Sequence, residues 1–159
     1  MIFETTPQTV KLTISEIYDM VKMETSQNFR ATRVTSAQQG AGIDTLYQDM
    51  VMNDADDDSL DLQLDSIIPE IYQDIRGYTD NYTKNETQIS FTIKLKDANA
   101  SDRLTPLFKK TIQDRLLAWW YKIRMPQLSQ QYSEQAALSM SAIRSIVIPT
   151  FGVRKLRQI

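Results

Sequence analysis

The sequence contains neither cysteine nor histidine. Without cysteine there is no disulfide framework, no thiolate nucleophile and no Cys-based metal site. Without histidine the usual general base at neutral pH and the commonest metal ligand are missing. Glycine and proline are scarce, at 4 and 5 of 159 residues, which suits an ordered and mainly helical chain. No apolar run approaches the roughly 18 residues of a membrane span. The opening MIFETTPQTVK lacks the basic-then-apolar order of a signal peptide. These absences lead us to expect a soluble protein made in the cytoplasm, with no membrane partner and no cofactor.

What is present points the same way. A chain of 159 residues that is 42% hydrophobic and 24% charged can bury the core of one domain. The net charge of -2 hides an uneven distribution. Residues 1–100 carry 8 basic against 17 acidic side chains, and residues 101–159 carry 10 against 3. Either the two halves fold onto each other, or an acidic surface of one subunit faces a basic surface of its neighbour; a basic patch touching nucleic acid is a third and weaker reading, because the bases are scattered through amphipathic helices.

Thr13-Ile14-Ser15-Glu16 has the form of a capping box. Ile14, Ile17, Tyr18 and Val21 come next at helical spacing, predicting a helix over 14–27. Arg30–Val34 reads as a short strand. The acidic run NDADDDSLD sets Asp54, Asp56 and Asp58 at positions 1, 3 and 5 of a calcium-loop pattern, with Asp65 at position 12. Ser59 stands where that loop needs glycine, so acids gathered at a helix N-terminus are the simpler reading. Leu60, Leu64, Ile67, Ile71, Ile75 and Tyr78 mark a helix over 58–79 that Pro69 should kink near Ile68 or divide.

TDNYTKNET reads as a polar loop. Gln88–Lys96 then alternates strictly, the period of a half-buried strand. Its partner is either the 30–35 segment or a strand from another chain, which makes Ile89, Phe91, Ile93 and Leu95 candidate interface residues. Thr105 and Pro106 look like N-cap and first residue of a third helix reaching about Arg124. Its stripe is Phe108, Ile112, Leu116, Trp119 or Trp120, and Ile123. A fourth helix from Pro126 carries Leu128, Tyr132, Ala136, Met140, Ile143 and Val147, ends at Pro149, and should pair with the third as an antiparallel hairpin.

The predicted fold is mainly α: about four helices over residues 1–148, with a short strand or hairpin arm near 88–97. An extended tail occupies 149–159. Adjacent helical residues point about 100° apart, so Trp119 and Trp120 cannot share the centre of one stripe. Either the bundle is wide enough to bury both, or one anchors a subunit interface. The end of the chain, IPTFGVRKLRQI, holds four aliphatic side chains, a phenylalanine, three bases and no acid. It either folds back on its own bundle or docks on a neighbour. The apolar Phe151, Val153, Leu156 and Ile159, with Arg154, Lys155 and Arg157 to meet carboxylates, make docking the better fit. For catalysis the serines lack a histidine to activate them, and Gly40-Ala41-Gly42 lacks the lysine and spacing of a phosphate loop. The expectation is that the protein is not an enzyme.

Taken in order, the opening helix, LYQDMVMNDADDDSLDLQLDSIIPEIYQDIRGY, TQISFTIKLK and RLTPLFKKTIQDRLLAWWYKIRMPQLSQQYSEQAALSMSAIRSI resemble a group of small tailed-phage virion proteins. These are encoded among the head and neck genes of phages of gut bacteria, including the crAss-like phages. The resemblance covers roughly residues 14–147 and carries no catalytic motif; Pro69 departs from its straight second helix. It implies a head-to-tail connector, also called an adaptor or neck-ring protein. Such a protein forms a homo-oligomeric ring, commonly twelve-fold, against the portal protein and other neck or tail proteins, with DNA as passing cargo. The alternatives are another helical assembly protein of head or tail completion, or a nucleic-acid-binding regulator. The last would need a compact basic recognition helix, which the chain does not provide.

Overall fold

A computed structural model describes residues 6–36, 50–77, 79–95 and 100–147. The chain is mainly helical with a small antiparallel sheet. Its elements are β1 (Thr6–Thr13), α1 (Ile14–Ser36), a 3-10 turn (Asp54–Asp56), α2 (Asp57–Asp74), β2 (Thr79–Lys84), β3 (Gln88–Leu95), α3 (Ala100–Arg124) and α4 (Pro126–Val147).

The alternation of Gln88–Leu95 does form a strand, and both of its edges are taken within the chain. The strand order is β1-β3-β2, with Val10 and Tyr82 both opposite Phe91. The polar segment 79–84 is therefore a strand and not a loop. Asn85 shapes the turn into β3, its side-chain oxygen accepting from the Thr87 and Gln88 amides at 2.8 and 2.7 Å. Ile89, Phe91, Ile93 and Leu95 all point into the chain's own core. That corrects their assignment as interface residues: a neighbouring subunit cannot reach side chains that the same chain already covers.

The segment at 30–34 is the end of α1 and not a strand. Its partner role falls to β1, where Val10 and Leu12 face inward. The α1 helix starts at Ile14, whose amide donates to the Thr87 carbonyl at 3.0 Å, so strand and helix join without a loop.

Asn53 caps the next helical segment. Its side chain accepts from the Ala55 amide, and Asp56 reaches back to the Asn53 amide at 2.9 Å. The α2 stripe Leu60, Leu64, Ile67 and Ile71 is buried as its spacing predicts, and so is Ile75 just past the helix end. Tyr78 lies outside the described residues. Pro69 neither ends nor divides α2, which runs unbroken from Asp57 to Asp74. Buried Ile67, Ile68 and Ile71 on both sides of Pro69 hold the helix together against the lost hydrogen bond.

The same competition moves the start of α3. It begins at Ala100, so Thr105 and Pro106 are interior, and the Thr105 hydroxyl donates to the Ser101 carbonyl at 2.9 Å. Buried Ala100 and Leu104 add to the core, which outweighs the cost of a proline near the helix start. Past Met125 the chain reverses, and α4 lies antiparallel along α3 as the short link predicts. Phe108 stacks on Phe91 at 4.8 Å between ring centroids, joining α3 to the sheet.

Candidate functional site

The third helix is central, and the other elements pack around it. The sheet lies at its N-terminal end, where the Ser101 amide donates to the Gln8 side chain at 3.0 Å. Between α2 and α4 one face of α3 stays open, forming a groove of about 640 Å³. Each wall is a helical face at three- and four-residue spacing. Glu70 and Asp74 come from α2; Arg115, Trp119 and Lys122 from α3; Ser129, Ser133 and Arg144 from α4.

The groove's acids are engaged. Glu70 pairs with Arg115, and Asp74 lies 3.6 Å from Arg144 across the groove. Burial pulls the Arg115 guanidinium below the usual arginine value. The Ser129 hydroxyl donates to the Ala118 carbonyl at 2.6 Å and has no imidazole to activate it. Among the described residues no three acidic side chains converge in a way that could hold a metal ion. The groove presents charge and one aromatic surface; it does not present a nucleophile with a base.

That aromatic surface is Trp119, which is partly exposed in the groove. Trp120 is buried and belongs to the core. Its indole N–H donates to the Met50 carbonyl at 2.9 Å, and the Arg124 guanidinium lies 3.6 Å from its ring centre. Of the two tryptophans named as interface candidates, Trp120 is therefore corrected to a structural anchor, and Trp119 remains at the surface. Ile123, expected on the buried stripe, is 89% exposed; in the same last turn of α3 the core claims Tyr121 instead. Phe151, Val153, Arg154, Lys155, Leu156, Arg157 and Ile159 lie outside the described residues.

The acidic run does not form a calcium loop. Asp57, Asp61 and Asp65 recur every four residues on the face of α2 that meets α1 and β2. Lys22 reaches Asp54 at 2.9 Å and Asp57 at 2.7 Å; the Tyr18 hydroxyl donates to Asp61; Lys84 pairs with Asp65 at 2.5 Å. Burial raises Tyr18 far above an ordinary phenol, and its bond to Asp61 and the charges of Asp61, Asp57 and Asp65 add to this. Burial alone would lower Lys22, but its bonds to Asp57 and Asp54 leave it above the lysine value of 10.5.

The uneven charge is partly consumed within the fold. Glu16–Lys109, Glu70–Arg115 and Asp74–Arg144 each join the acidic half to the basic half. Most of these groups are well exposed, where such pairs contribute less than about 1 kcal/mol, so they orient the halves more than they stabilise them.

Compared with protein-family models, curated proteins and solved structures, the chain matches none of them.

Proposed function

We propose that this chain is a structural virion protein, a subunit of the ring at the portal–tail junction. In that role it assembles with copies of itself and with the portal protein and neighbouring neck or tail proteins, and DNA passes through as cargo. The observation that carries the reading is the contrast between α4 and the residues beyond its end. Val147, the last residue of α4, is already buried in the chain's own core. The next twelve residues nevertheless hold five large apolar side chains and three bases with no acid. Such a segment gains most by covering apolar surface and meeting carboxylates on another subunit. The groove lined by α2, α3 and α4 supports the reading, since Trp119 is an anchor-type residue left at the surface. Among the described residues no helix is long and apolar enough to cross a membrane.

Electron microscopy with class averaging, on the full chain and on a chain ending at residue 148, tests this. Rings that vanish on truncation are the expected result. A monomer at high concentration in both samples, with no portal protein recovered from an infected lysate, would overturn it.

A further inference from the structure

Because α3 is wrapped on most sides, a position that would face water in an isolated helix is enclosed. Asp114 is 1% exposed. One of its carboxylate oxygens accepts from the Lys110 ammonium at 3.0 Å, and the other has no hydrogen-bond partner. An unpartnered buried carboxylate oxygen is costly, since it has lost water and gained nothing in exchange. Lys110 compensates only in part, because its side chain is 52% exposed and it also donates to Gln135 at 3.3 Å.

The same junction holds a second acid. Glu24 on α1 accepts from the Tyr132 hydroxyl of α4 at 2.8 Å. Asn28 of α1 donates to Tyr132 at 2.8 Å and to Tyr121 of α3 at 3.2 Å, and the two phenol rings stack at 5.9 Å. The C-terminal half of α1 is thus tied to the α3–α4 hairpin through one polar layer. The charges acting on Asp114 are Lys110 from its own helix and Glu24 from α1; α4 contributes the uncharged Gln135 and Tyr132.

We propose that Asp114 is a proton-operated latch: it takes up a proton inside the folded bundle as pH falls, and the junction of α1 with the α3–α4 hairpin tightens when it does. Uptake removes the cost of the buried charge and its repulsion from Glu24, and it converts the carboxylate into a group that can donate. Burial is the main influence raising Asp114 above 3.8, Lys110 opposes it, and Glu24 adds to it. For a carboxyl raised on folding, stability is lost as pH climbs through the folded value and regained as pH falls back through it.

The test compares the full chain with Asp114→Asn by urea unfolding from about pH 7.5 to about pH 3.5, a range that reaches below the ordinary carboxyl value of 3.8. In parallel, the Asp114 carboxyl carbon is followed by NMR and amide exchange is measured over residues 24–31. Asp114→Asn should unfold less readily than the parent at the upper end, and that advantage should shrink several-fold toward the lower end. The parent's carboxyl should titrate above 3.8, and exchange over residues 24–31, corrected for its intrinsic pH dependence, should slow on acidification in the parent alone. An advantage constant across the range, or a carboxyl titrating at or below 3.8, would overturn the latch. The carboxyl titration is read on the parent, so the outcome stands even if the variant folds poorly.

Discussion

Replacing Phe91 by alanine separates a core role from an interface role at the centre of the sheet. Phe91 is fully buried, lies opposite both Val10 and Tyr82, and stacks on Phe108 at 4.8 Å with Tyr82 at 6.1 Å. Removing a buried phenylalanine ring costs about 3–5 kcal/mol, the transfer of its carbons together with the cavity left behind. Of this, about 0.5–1.5 kcal/mol is the loss of the aromatic contact itself. A domain of this size has a total of about 5–15 kcal/mol, so Phe91→Ala should retain between none and about four fifths of it. Urea unfolding followed by tryptophan fluorescence should show the midpoint moving far down with an unchanged slope. Phe91→Leu, which keeps most of the volume, should lose about 1–2 kcal/mol. A Phe91→Ala chain within about 1 kcal/mol of its parent would refute the burial argument, because surface substitutions fall in that range.

Pro69 and Lys22 offer two further tests. Pro69→Ala should raise stability by about 1–2 kcal/mol, because it restores the amide that α2 lacks at an interior position; thermal unfolding reads this, and a lowered midpoint would mean that Pro69 contributes packing not accounted for. Lys22→Met should cost about 1 kcal/mol at neutral pH, a modest figure because Asp54 is 97% exposed. The folded value of Lys22 is raised, so its contribution is complete below 10.5 and is lost as pH climbs through the raised value. Parent and variant should therefore converge in strongly alkaline urea titrations, and a gap independent of pH would contradict the ion pair.

The helical stripes were legible because 3.6-residue periodicity is written in neighbouring residues. Leu60 to Ile71 on α2 and Tyr132 to Val147 on α4 are buried as their spacing indicates. The alternation of β3 was legible for the same reason. The flanking strands were not: Thr79–Lys84 is polar and Thr6–Thr13 is rich in threonine, and each becomes a strand by pairing with β3. The polar layer of Glu24, Asn28, Tyr121 and Tyr132 was equally invisible. Its members are spread over more than a hundred positions and meet only where three helices converge.

Local pattern by itself determined the class of this protein. The scarcity of glycine and proline and the apolar periodicity point to helices around one core with a short β arm. Tertiary structure alone decided which side chains that core claims. Trp120 is enclosed and Trp119 is left in the groove; Ile123 is exposed while Tyr121 in the same turn is buried; Pro69 and Pro106 sit inside helices that their own chemistry would interrupt. The physical reason is that periodicity describes one segment, whereas burial depends on the partner across from it, and the free energy of that contact exceeds a local preference.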